Sequence, residues 1–207
     1  MSSGTCVSTW SGRRATGHRR TARRALAAVV LVAAVSFTAA CGNGPAGAEV
    51  PEGWPRLATD SVTVAHPPAF REQGAGERSK FNAAAATLEE GGRTVAMISV
   101  QLDYTNADSV EEAAIGAEAG IALGATLEGQ EDLRVAGPEK ARDAKRIDFT
   151  FTSTGEQGTP AKGTRVAGVI VAGLDSREST YAVRIDAAEG RLSPDELKKI
   201  IDSIAVK

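Results

Sequence analysis

The apolar run from Leu26 to Ala40 constrains this chain most, because it decides how much of the 207 residues is available to fold. The run reads LAAVVLVAAVSFTAA and is 15 residues long, which is about 22 Å as a helix. A hydrocarbon core about 30 Å thick takes about 20 residues to cross, so the run is too short for a permanent span. Upstream lie Arg13, Arg14, Arg19, Arg20, Arg23 and Arg24, with no Asp or Glu. A basic region, a short apolar region and small residues at its end make an export signal, with its arginines left on the cytoplasmic side. A buried core helix fits poorly, because the run has no polar face. Residues 1–40 therefore read as a signal peptide, and the fold is expected downstream of them.

The run ends in Thr38-Ala39-Ala40-Cys41-Gly42, which resembles the bacterial lipobox, where small residues precede a cysteine. The resemblance implies that the Cys41 sulfur takes a diacylglycerol and that cleavage frees the Cys41 amine for a further acyl chain. Sulfur suits the task because a thiolate is a strong nucleophile and the thioether it forms is stable. The family usually carries Leu or Val three residues before the cysteine, where this chain has Thr38. Ordinary signal cleavage after Ala46-Gly47-Ala48, which discards Cys41, is the alternative. Arg23-Arg24-Ala25-Leu26 leaves twin-arginine export open beside the general route.

Removing residues 1–40 leaves 167 residues with 18 basic and 26 acidic side chains, a formal charge of −8. Nucleic-acid binders carry a basic stripe, and this chain has none, so no nucleic-acid partner is expected. Anionic headgroups repel such a chain, so attachment to the membrane falls to the fatty chains, of which two or more bind firmly. The expected location is the outer face of the bacterial cytoplasmic membrane. Cys6 leaves with the signal and Cys41 carries lipid, so the mature domain has no disulfide. A core must stabilise it, and a domain of about 150 residues buries enough surface for that.

Residues 41–60 read as a lipidated, flexible tether. Gly42, Gly44, Pro45, Gly47, Pro51, Gly53 and Pro55 interrupt any periodic pattern. Trp54 stands out there, either packing back on the domain or sitting at the membrane interface. The globular domain is expected over 61–207. Ser61–Ala65 alternates as a strand and stops at His66-Pro67-Pro68. Residues 80–89 and 94–103 form a hairpin around Glu90-Gly91-Gly92-Arg93. The period then becomes helical over 109–126, with Ser109 and Glu112 in capping-box spacing and Val110, Ala113, Ala114, Ala117, Ile121 and Gly124 on one face. Leu133–Ala136 is a short edge strand, and 144–154, 164–174 and 180–187 are longer strands, 164–174 being central. Ser193-Pro194-Asp195-Glu196 opens a last helix over 194–203 with Leu197, Ile200, Ile201 and Ile204 inward. The order gives an α+β fold, an antiparallel sheet with helices packed on it.

Val62-Thr-Val-Ala-His-Pro-Pro-Ala-Phe70 resembles the strand, proline and aromatic opening of PsbP-like domains. The helix after the hairpin and the closing Ser193–Ile204 helix after Tyr181-Ala-Val-Arg-Ile fit the same order. Together with the signal, the lipid cysteine and the tether, the chain is similar to the LpqN-type actinobacterial lipoproteins over residues 61–207. The resemblance implies an α/β/α sandwich and a binding or accessory role toward an envelope protein or lipid. It transfers no catalytic residue.

The residues themselves offer few constellations. His66 is the sole histidine after the signal, and a catalytic imidazole needs a nucleophile and an orienting carboxylate in space. A cell-wall hydrolase using His66 is the alternative to a binding module; Gly-x-Ser-x-Gly is absent. One histidine and no thiols argue against zinc, and no cofactor or metal is expected. Glu89-Glu90, Glu111-Glu112 and Glu131-Asp132 read as solvated charge rather than an acid/base pair. Gly116, Gly120 and Gly124 let the helix pack closely on the sheet or offer a docking face. Gly155–Gly163 is glycine-rich with a lysine, but strand residues follow it, so it reads as a mobile hairpin loop and not a phosphate loop. Trp54, His66 and Phe70 are the candidate partner-binding residues.

Overall fold

The computed structural model describes residues 47–121, 124–156 and 159–207. The signal peptide, Cys41 and the first part of the tether lie outside the described residues. Twelve elements follow in chain order: β1 (Arg56–Ala58), β2 (Val62–Ala65), β3 (Arg71–Glu72), β4 (Ala84–Glu90), β5 (Arg93–Leu102), α1 (Val110–Glu118), β6 (Thr126–Val135), β7 (Arg142–Thr152), β8 (Arg165–Leu174), β9 (Thr180–Ala188), α2 (Pro194–Asp202) and β10 (Ala205–Val206). Seven strands form one antiparallel sheet in the order β3-β4-β5-β9-β8-β7-β6, and β1, β2 and β10 form a second, antiparallel too. The fold class is α+β, as the alternation of strand and helix periods implies.

Local chemistry explains most boundaries. Gly91 and Gly92 both adopt positive φ, 57° and 76°, the pairing that a two-residue hairpin turn between β4 and β5 demands. In α2 the Ser193 hydroxyl accepts from Glu196 N while the Glu196 carboxylate accepts from Ser193 N, a complete capping box. At α1 the Ser109 hydroxyl accepts from Glu112 N, but Glu112 reaches back to Asp108 N at 3.0 Å, one residue further out than a box. Helix α1 ends at Glu118, earlier than its periodicity predicts, and Leu127 belongs to β6. Gly120 and Gly124 disfavour helix; Gly120 N bonds Ala117 O in a tighter turn, and Gly124 has φ 85°.

Strand alternation sorts side chains to two faces of the large sheet. Ile98, Val100, Val169, Val171, Val183 and Ile185 join Ile200, Ile201 and Ile204 of the α2 segment and Leu57, Val62 and Val64 of the small sheet in one buried cluster. Ile147, Phe149, Ile170, Ala172 and Ala182 cluster with Ala114 and Ala117 of α1. The close approach of α1 falls at Gly116, where a Cβ would meet the Thr105 side chain at 2.7 Å. Gly120 is exposed, contrary to its expected place on the packing face. The edge strand β6 is ten residues long rather than four, because β7 pairs with it from Thr126 to Val135.

The tether reading needs correction at its C-terminal end. Leu57 is 0% exposed, in a strand paired with β2 through Arg56↔Ala65, Leu57↔Val64 and Ala58↔Thr63. Glu49 N also donates to Asp202 O at 3.2 Å. The three-residue β1 has a single apolar residue inward, too little for a period, and the nearby prolines and glycines masked it.

Candidate functional site

A cavity of about 250 Å³ opens at one end of the large sheet, between the start of β5, the end of β7, the start of β8, Asp186 of β9, Gly124, Ser153, Thr154, Thr159 and Pro160. Val95, Ala96, Met97, Phe151 and Val166 give it an apolar wall, and Ser153, Thr154, Thr159 and Pro160 give it a polar rim. The rim is stitched by its own hydrogen bonds. Ser153 N donates to Thr164 O at 2.8 Å, the Ser153 hydroxyl donates to Pro160 O at 2.7 Å, and Gly155 N donates to Ser153 Oγ at 3.2 Å. Gly155 has φ 79°, and a Cβ there would lie 2.8 Å from Lys162 N. A glycine is required by both constraints, and it lets the segment fold tightly over the sheet end.

Among the described residues lining the cavity, Asp186 is the charged one. In β9, Tyr181, Val183, Ile185 and Ala187 take one face, so Arg184 and Asp186 share the other. Arg184 Nε donates to Asp186 Oδ2 at 2.8 Å, and the two side chains are 19% and 15% exposed. Arg184 is further held by donating to Gly120 O at 2.9 Å and by lying over the Phe149 ring at 5.1 Å. Asp186 Oδ1 is buried and has no hydrogen-bond partner among the described residues. Burial pushes this carboxyl above the ordinary carboxylate range, and the charge and hydrogen bond of Arg184 offset that only in part. An acceptor left without a donor in such a place is costly.

The residues singled out from sequence, Trp54, His66 and Phe70, do not line this cavity. His66 is 1% exposed and Phe70 6%, with ring centroids 6.2 Å apart, and Trp54 is partly buried against the same core cluster as Phe70. His66 N donates to Pro55 O at 3.0 Å, its Nδ1 lies 3.0 Å from Pro67 O, and its Nε2 has no partner. The His66 ring is therefore buried, away from the surface of the domain. The bond from His66 N to Pro55 O and the Phe70 ring nearby join segments that residue spacing does not connect.

The paired carboxylates sit in surface ion pairs: Glu89 with Arg71 at 3.5 Å, Glu90 with Arg191 at 3.0 Å, Glu111 with Lys145 at 3.4 Å, and Glu131 with Arg146 at 3.1 Å. Among the described residues no group of three or more His, Cys, Asp or Glu could hold a metal ion. No described helix is long and apolar enough to cross a membrane. Sequence reading missed Met97, Phe151, Ser153 and Asp186. The available signal was an Arg-x-Asp step inside a strand with neighbours on both sides, where a charge cannot be solvated from the sheet plane.

No family model matches the chain, and no curated protein matches it. Two solved structures are similar to it in part. A protein from Bacteroides thetaiotaomicron VPI-5482 shares 12% identity at a TM-score of 0.42, over 70% of this chain and 45% of that one. The Ran-binding protein Mog1p of Saccharomyces cerevisiae shares 12% identity at a TM-score of 0.41, over 70% of this chain and 81% of its own. The chain thus spans under half the length of the Bacteroides protein, and at such TM-scores neither likeness carries an argument about what this chain does.

Proposed function

We propose that this chain is an LpqN-type lipoprotein with a PsbP-like domain, held by lipid on Cys41 at the outer face of the bacterial cytoplasmic membrane. Its domain acts as a non-catalytic binding or accessory module for envelope material. The observation that carries the binding role is the cavity beside Asp186, a concave apolar site with one polar group whose hydrogen bonding is incomplete. The basic, apolar and small-residue order before Cys41 supports the anchor. Alanines of α1 against one face, and isoleucines of the α2 segment with the small sheet against the other, support an α/β/α sandwich.

Two measurements test the reading. Full-length wild type is expected in the detergent phase on phase partitioning, and Cys41→Ala in the aqueous phase after signal removal. A Cys41→Ala chain that is cleaved yet stays with detergent refutes the lipid anchor. Small molecules extracted from purified full-length wild type should be reduced in Met97→Trp, which fills the cavity; identical cargo in both refutes the binding role of the cleft.

A further inference from the structure

We infer that the β3–β4 connection, residues 73–83, is a second contact with the membrane: the Phe81 ring enters the surface of an anionic bilayer, and Lys80 and Arg78 meet its headgroups. The inference rests on the Cys41 anchor proposed above and says which end of the domain that anchor holds down. One exposed hydrophobic residue is ordinary on a protein surface, so the setting of Phe81 matters more than its 69% exposure. Ser79 and Lys80 beside it are exposed too, and Lys80 Nζ stands 4.9 Å from the centre of the ring. Glu77 is the one acid of the connection, and Arg71 neutralises it at 3.0 Å. Among the described residues, Arg78 and Lys80 have no ion-pair partner. A ring beside two unpaired cations suits a bilayer interface, where the ring meets acyl chains and the long basic side chains reach back to the phosphates.

Position decides between this loop and the other exposed hydrophobic residues. Ala83 N donates to Val100 O at 2.8 Å and Gln101 Nε2 to Asn82 Oδ1 at 3.2 Å, so the loop leaves the large sheet where β5 ends. Antiparallel pairing sets the end of β5 beside the start of β9, then the end of β8, the start of β7 and the end of β6. Just past β6, Ala136 N donates to Ile204 O at 3.3 Å, and Glu49 N donates to Asp202 O at 3.2 Å at the end of α2. The chain therefore leads back toward Cys41 from this same end of the sheet, and the eight steps from Cys41 to Glu49 span at most about 29 Å. Leu127 stands at the other end, eight residues along β6 from Val135, or about 27 Å, and Ile115 lines the same hollow as Leu127. Charge narrows the contact to the loop. The mature chain carries a formal −8 and anionic headgroups repel it as a body, so a local basic projection must make the contact; each Lys or Arg at such a surface strengthens attachment about fivefold.

The test uses the full chain after signal removal, in vesicles of equal parts phosphatidylcholine and phosphatidylglycerol whose brominated acyl chains quench indole on contact. Flotation reads the anchor, and fluorescence reads the loop. Wild type gives the signal of Trp54, which is subtracted. The indole of Phe81→Trp should be blue-shifted and strongly quenched, and that of Leu127→Trp should stay unquenched. Adding Arg78→Ser and Lys80→Ser to Phe81→Trp should weaken the contact about thirtyfold and remove the quenching, with flotation and circular dichroism unchanged. A chain that floats with Phe81→Trp unquenched, with Leu127→Trp quenched as strongly, or with quenching that survives loss of both cations overturns the loop contact and leaves the anchor standing. Wild type that does not float overturns both.

Discussion

Replacing Gly168 by alanine puts a methyl group where the Phe149 ring now lies. The two residues face each other across β7 and β8, and a Cβ on Gly168 would meet Phe149 Cζ at 2.2 Å, Cε2 at 2.5 Å and Cε1 at 2.7 Å. Carbon atoms pack best at about 3.5–4.0 Å, so the ring must withdraw by about 1.3 Å. It has little room: Phe149 is 1% exposed, with Ala114 and Ala117 of α1 in its cluster and Arg184 over its face. Overpacking of this kind costs about 1–3 kcal/mol, and losing a glycine inside a strand returns about 0.5–1 kcal/mol. A net loss of about 1–2 kcal/mol is expected in urea melts followed by circular dichroism. A double-mutant cycle sharpens the test. In a Phe149→Leu background the ring is gone, and Gly168→Ala should be neutral or favourable, leaving a coupling of at least about 1 kcal/mol. Equal destabilisation in both backgrounds would show that the loss has another source and that the ring does not rest on the glycine.

Two further changes probe the smaller sheet and the β8–β9 turn. The buried Ser203 hydroxyl accepts from Ala65 N at 2.8 Å and donates to Ile200 O at 2.6 Å, so Ser203→Ala leaves a buried N–H orphaned and should cost about 1–3 kcal/mol in urea; a loss under about 0.5 kcal/mol refutes that role. Burial opposes the charge of Asp175, but hydrogen bonds from Ser61, Ser179 and Arg177 outweigh it and hold its carboxyl below the ordinary range. Stability from a depressed carboxyl is present above the unfolded value of about 3.9 and is lost as pH falls through the folded one. Asp175→Asn should therefore lower Tm at pH 7, by about 1 kcal/mol in stability, with the gap narrowing as pH drops below about 3.9; a gap constant with pH refutes the assignment.

What sequence made legible follows the range of the forces involved. The Gly91-Gly92 turn, the Ser193 capping box and the strand expected over 144–154, found at Arg142–Thr152, are settled within a few residues of chain. Helix α1 lost its last turns because two glycines weigh more than a continued apolar stripe. Strand β6 is exposed over most of its length and has no inward period; it is a strand because β7 offers a partner. The burial of His66 and the cavity at Asp186 both arise where distant segments meet. Residues 94–97, 151–154, 159, 160 and 186 share the cavity wall without any spacing that joins them, so its chemistry stayed hidden while its strands did not.

The small sheet sets an order on the folding of the chain. Strand β2 takes β1 on one side and β10 on the other, and the Ala65–Ser203 bond joins residues 138 positions apart. Lys207 N donates to Ser61 O, and Val206 N to Ala136 O, both at 2.8 Å. A polypeptide made from its N-terminus has β1 and β2 early but cannot complete their sheet until Ala205 and Val206 have been made. Until then one edge of β2 and the apolar side chains Val62 and Val64 wait uncovered, the kind of strand that pairs with wrong partners. Ala205 and Val206 thus act as a closing latch, and a chain cut off just before them would hold every strand of the large sheet yet leave β2 open along one edge.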